Sequence, residues 1–134
     1  MILTAATCLA LTVYYEARGE HPDAQLAVAE VVMNRVADPR FAGDVCSVVA
    51  EDWGAEPHDC QFSFMCDGKA ENPQDMVAWA VAQDIARKAL AGDVLGHGAT
   101  HYHADHVSPW WADTLTPVGK VGSHIFYVWG EVND

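Results

Sequence analysis

The apolar run from Ile2 to Val13 passes directly into Tyr14-Tyr15-Glu16-Ala17-Arg18-Gly19-Glu20, so a carboxylate closes an oily segment just before a glycine break. Helix formers fill the run, and Leu9 and Val13 share one helical face. That pattern predicts a buried helix around which the rest of the chain must pack. Burial disfavours the charged form of a carboxyl group, so Glu16 is a candidate general acid, able to hold a proton near neutral pH and deliver it to a leaving oxygen. A plainer role, pairing with Arg18 or capping the next helix, is open on the same residues.

The 134 residues, 51% of them hydrophobic, suffice for one core and not for two, so residues 1–134 are expected to form one domain. No apolar stretch reaches the roughly 20 residues that span a bilayer, and no basic residues precede the first helix as they would a signal-peptide core. The expectation is a protein made in the cytoplasm without a signal peptide or membrane span. A formal charge of -12, from 19 acidic and 7 basic side chains, argues against nucleic acid, whose phosphates need clustered lysine and arginine. Of the four cysteines, Cys60 and Cys66 are close enough for a small disulfide loop. Cys8 and Cys46 lie in apolar surroundings and read as buried thiols or a second bridge.

Further along, Pro22-Asp23-Ala24-Gln25 opens a second helix with apolar positions at Leu26, Ala29, Val32, Met33 and Val36, ending before Pro39. A short helix is expected around Asp44 to Ala50. Asn72-Pro73 signals the start of a long helix, with Asn72 as cap and Met76, Val77, Ala80, Val81, Ile85 and Leu90 as its inward stripe, stopped by Gly92. Pro117 to Gly122 reads as a turn, and Ile125 to Trp129 as a strand. The fold class is therefore α+β, mainly α, with a small C-terminal β element.

His101-Tyr102-His103-Ala104-Asp105-His106 spells H-x-H-x-D-H, a pattern of metal-dependent hydrolases. That fold is larger than this chain and needs further ligands downstream, so the match reads as coincidence and no metal or other cofactor is expected. Cys60 or Cys66 with His101 and Asp105 could form a thiol nucleophile and base, a rival reading that a Cys60–Cys66 bridge would remove. Gln61 and Ser63 alternate with phenylalanines, so they share one face of an extended segment and could hydrogen-bond a sugar amide. Trp110 and Trp111, with Trp53 and Trp79, could offer flat faces to sugar rings, although tryptophan in a small domain is more often core.

Taken together, Tyr15 to Glu20, Gln25 to Val36, Val45 to Val49, Cys60-Gln61-Phe62-Ser63, Cys66-Asp67-Gly68, Ala99 to His103, Trp111-Ala112 and Gly122 to Tyr127 resemble, in order, the SleB-like cell wall hydrolase family. The resemblance implies a lysozyme-like domain related to lytic transglycosylases, acting on the β-1,4 bond between N-acetylmuramic acid and N-acetylglucosamine. It implies that Glu16 is the catalytic residue and that Gln61, Ser63, His101 and Tyr102 line the substrate groove. The chain departs from the family at His103, where another aromatic is usual, and it carries no cell-wall-binding module. The second departure favours a compact phage-type lysin. It would act on peptidoglycan strands at the cell wall or periplasm after lysis or virion delivery, as a monomer if free and beside virion proteins if particle-borne. A hydrolytic muramidase, a cysteine- or metal-dependent peptidase and a non-catalytic glycan-binding virion subunit are the alternatives. Asn34, Arg35 and Glu20 are expected to be structural, the first two holding the loop behind the site.

Overall fold

A computed structural model of the chain describes residues 3–51 and 73–130. Four helices, α1 (Ala5–Ala17), α2 (Pro22–Ala37), α3 (Val45–Val49) and α4 (Met76–Leu90), precede three strands, β1 (His101–Ala104), β2 (Thr116–Val121) and β3 (His124–Val128). The strands form one antiparallel sheet in the order β1-β3-β2. The domain is mainly helical with a small C-terminal sheet, as expected.

Each helix starts where a side chain satisfies the backbone donors that its first turn leaves open. The Thr4 hydroxyl accepts from Thr7 N, Asp44 from Ser47 N, and Asp75 from Ala78 N. Helix α2 begins on Pro22, whose fixed φ suits the first turn, with His21 Nδ1 accepting from Asp23 N. Gly19 (φ 85°) ends the first helical segment, and Gly92 (φ 84°) follows the last, in a backbone region that favours glycine.

Helix α2 is buried around almost its whole circumference: Ala27, Val28, Val31 and Val32 are fully enclosed, and so are Glu30 and Arg35. Leu26, Met33 and Val36 lie only half-buried at its margins. Helix α4 packs against α1 and α2, but only in part through the face the sequence suggests. Met76, Val77, Ala80, Val81 and Leu90 are exposed, while Ala82, Ile85, Ala86 and Ala89 are buried. Of the expected stripe Ile85 is buried; small side chains let helix backbones approach closely, so Ala82, Ala86 and Ala89 face inward beside it and the other residues of that stripe face out. The cap of α4 is Asp75 rather than Asn72, which lies outside the described residues.

Of the expected turn Pro117 to Gly122, residues 117–121 belong to strand β2 and Gly122 alone lies in the turn that follows it. The strand is at an edge of the sheet, with a register irregularity between Pro117 and Gly119, where a missing N–H and a bulge are tolerated. Cys8 and Cys46 form a disulfide that ties α1 to α3. Cys60 and Cys66 lie outside the described residues.

Candidate active site

Glu16 is in the last turn of α1, half-buried, and its Oε1 accepts a hydrogen bond of 2.7 Å from the Tyr102 hydroxyl on β1. The sheet thus reaches back to the end of the first helix. Tyr102 is enclosed: burial, then the charge of Glu16, push its hydroxyl well above the usual phenol range, so it remains a donor. Arg18, the ion-pair partner that the sequence offers Glu16, instead donates to the Tyr14 hydroxyl and stacks on the Tyr14 ring. The same hydroxyl accepts from Gln74 N and Asp75 N, which anchors the start of α4 to α1.

The position of Tyr102 depends on a buried polar network in α2. Glu30, fully enclosed, accepts from Gly96 N at 2.8 Å, Gly98 N at 3.1 Å and Asn34 Nδ2 at 3.3 Å. Asn34 also donates to Ala99 O at 2.8 Å, and Arg35 Nε to Thr100 O at 2.6 Å. Desolvation lowers the Arg35 pKa to about 10, so it remains a cation at neutral pH. His97 joins by donating Nε2–H to Ala27 O and accepting from Ala99 N at Nδ1. These bonds hold residues 96–100, the approach to β1, as a rigid loop.

Glu20 clamps the β2–β3 turn onto the same end of the molecule. Its Oε1 accepts from Ser123 N and Oγ, both at 2.9 Å, and its Oε2 lies 3.2 Å from His124 Nδ1. Burial outweighs the attraction of Glu20 and lowers the His124 pKa. Turn residue Gly122 has φ 59°, and a Cβ there would lie 2.5 Å from Glu20 Oε1 and 2.8 Å from the Ala24 methyl, so glycine is required.

Alternation along β1 sends His101 and His103 to the face opposite Tyr102. Tyr102 packs on Phe126 and His124, whereas His101 meets Phe41, Trp111 and Trp129. His101 helps line a hollow of ≈ 330 Å³ with Phe41, Trp110, Trp111 and Trp129. Burial, then the charges of Arg35 and Arg40, lower its pKa to about 4, so the ring is neutral. Of the residues expected to form one groove, Glu16 and Tyr102 are brought together, His101 turns to the far side of β1, and Gln61 and Ser63 lie outside the described residues. Trp79 packs edge-on against Tyr14 rather than lining the hollow, and Trp53 is outside the described residues.

The H-x-H-x-D-H residues are dispersed. His103 bonds through Nδ1 to Ala104 O and through Nε2 to the Tyr127 hydroxyl, Asp105 pairs with Lys120, and His106 is exposed. Among the described residues no group of three or more His, Cys, Asp or Glu could hold a metal ion. Sequence reading missed Phe41 and Trp129, whose nearness to His101 depends on long-range packing. A high tryptophan content near the C-terminus was the only hint.

A family model described as Cell Wall Hydrolase matches residues 19–127. A spore cortex-lytic enzyme of Halalkalibacterium halodurans is 33% identical over 119 residues, covering 88% of this chain and 33% of that protein. The chain thus spans about a third of the length of that curated relative. The catalytic domain of the germination-specific lytic transglycosylase SleB of Bacillus anthracis matches with a TM-score of 0.70 at 26% identity, covering 95% of this chain and 96% of that one. The catalytic domain of the Bacillus cereus SleB protein matches with a TM-score of 0.72 at 29% identity, covering 92% and 88%.

Proposed function

Because the chain belongs to the Cell Wall Hydrolase family, we propose that it cleaves peptidoglycan strands at the β-1,4 bond between N-acetylmuramic acid and N-acetylglucosamine as a lytic transglycosylase. Glu16 moves the proton. The observation that carries this reading is the bond from Tyr102 to Glu16 at the end of α1. The family match covers residues 19–127 and so does not include Glu16, whose choice rests on its place at the end of an apolar run, on the resemblance set out above and on its bond with Tyr102.

Glu16, protonated, donates to the glycosidic oxygen as the bond to C1 breaks. The resulting carboxylate, steadied by the Tyr102 hydroxyl, then takes the proton of the C6 hydroxyl on the same muramoyl sugar, and that oxygen closes on C1 as a 1,6-anhydro ring. One carboxyl group suffices for this route, whereas ordinary glycosidases use two. Glu20, its neighbour in sequence, is occupied by Ser123 and His124, which supports the single-carboxylate route. Tyr102 acts here as a positioning residue for Glu16, and Gln61 and Ser63 are retained as sugar-binding candidates.

The Cys8–Cys46 disulfide fits an oxidising place of action outside the cytoplasm, where peptidoglycan lies. No helix among the described residues is long and apolar enough to cross a membrane. The relatives are bacterial enzymes, and a phage-borne lysin or a virion partner draws no support from them. The deciding experiment digests purified peptidoglycan and identifies the fragments by mass spectrometry. Anhydro-muramoyl ends are expected, and Glu16→Gln should release none while keeping the native circular dichroism spectrum. Reducing ends would mean a hydrolytic muramidase; new amino groups from cut stem peptides would overturn the glycosidase reading.

A further inference from the structure

The hollow on the far side of β1 has no part in the mechanism above, yet it is built like a ligand site. Trp110 is 84% exposed at its rim, in the short 3-10 turn Trp110–Thr114. Packing alone does not account for a tryptophan left so open, since burying such a ring is favourable by about 1.5–3 kcal/mol. The walls are held firmly. Trp111 meets the rings of His101, His103 and Tyr127, while the Arg40 guanidinium sits 3.9 Å from the Trp129 ring centroid and Phe41 packs edge-on against that ring.

Charge narrows the occupant. Arg40 pairs with Asp38 at 2.7 Å and donates to the Gly130 and Trp129 carbonyls, so its cation is already matched. Glu51 also lines the hollow, and its charge acts on the Arg35 guanidinium, so neither charged wall residue calls for an ionic ligand. A neutral ligand with flat apolar faces and polar edges meets this wall best, and a pyranose ring has that form. The ≈ 330 Å³ hollow lies at the lower end of small-ligand sites, which run to about 300–1,000 Å³, and suits one such ring.

We propose that this hollow is an accessory site for a neutral N-acetylhexosamine unit of the glycan polymer, on the face of β1 opposite Tyr102 and Glu16. The proposal rests on the glycan-cleaving reading above. Its role is to hold the polymer through rigid tryptophan faces, adding a second point of attachment to the one at which the bond is cut.

The test uses Glu16→Gln protein, which binds without cutting, titrated with tri-N-acetylchitotriose and followed by NMR. Contacts between sugar protons and the indole protons of Trp110, Trp111 and Trp129 are expected, and Trp110→Ala should weaken that binding at least five-fold. Trp110 is exposed, so this variant keeps the fold; Trp129→Phe serves as a second, size-conserving check. Three outcomes would overturn the site: no binding of the trisaccharide, contacts confined to the Tyr102 side of β1, or equal affinity in Trp110→Ala. Indole-dependent binding by a protein whose wild type leaves peptidoglycan uncut would keep the accessory site and refute the enzymatic reading. Cutting without any effect of Trp110→Ala on binding would do the reverse.

Discussion

Two neighbours on one strand, Tyr102 and His101, do unrelated work because a strand alternates its faces. Tyr102 donates to Glu16, and the isosteric change Tyr102→Phe removes that donor while leaving the ring in place. A hydrogen bond to a charged group is worth about 1.5–3 kcal/mol, so turnover should fall roughly 10- to 100-fold. The pH profile separates positioning from mere packing. A general acid fails as pH rises through its pKa, and losing a donor to the carboxylate raises that pKa, so the alkaline limb should move to higher pH. An unmoved limb would leave Tyr102 as core only. His101 governs a different pH effect. Its pKa falls from 6.5 to about 4 on folding, so between those values the unfolded chain binds the extra proton. That stability is present above pH 6.5 and lost as pH falls towards 4, by an amount on the order of 3 kcal/mol at most. Urea titrations of His101→Gln should therefore show a flatter loss of stability across this window than the wild type; an identical slope would contradict the assignment.

At the scale of elements, the clamp between Glu20 and the β2–β3 turn makes the most local prediction. Alanine at Gly122 must collide with Glu20 and Ala24, whereas Gly92, at a similarly positive φ, has open space around a Cβ. Gly92→Ala should cost about 1 kcal/mol from backbone strain, and Gly122→Ala about 2–3 kcal/mol with a Tm drop of roughly 5–10 °C. Equal losses by calorimetry would mean that the turn is not clamped. The contrast also explains what the sequence could reveal. Helices with a capping side chain and an apolar run were legible, because those signals act within one turn of the chain. The inward face of α4 was legible only at Ile85, since close packing on α1 and α2 selects Ala82, Ala86 and Ala89 beside it over the larger residues. Strand β2 was hidden by Pro117 and Gly119, residues that a sheet edge accepts but that read as a turn. Glu16 was legible as the end of an apolar run. Its partner role for Tyr102, and the meeting of Phe41 and Trp129 with His101, depend on contacts between distant parts of the chain that local patterns do not encode.

For the whole molecule, the Cys8–Cys46 bridge closes a segment of 38 residues and links the helix that carries Glu16 to α3. Cross-linking a loop of that length removes unfolded-state entropy worth about 4 kcal/mol in the chain-entropy model, and measured bridges give roughly 2–4 kcal/mol. A small domain has little stability beyond that to spare. Here the fold and the destination are coupled: the protein should be sturdy where the bridge forms and marginal where thiols stay reduced. The clean comparison is the double variant Cys8→Ala/Cys46→Ala, since it leaves the other cysteines untouched. Guanidinium titration should show a loss of about 2–4 kcal/mol, and glycan cleavage at low temperature should persist because neither sulfur meets Glu16 or Tyr102. A loss below about 1 kcal/mol would show that the core of α1, α2 and α4 stands without its staple, and the disulfide would then say nothing of where the protein must work.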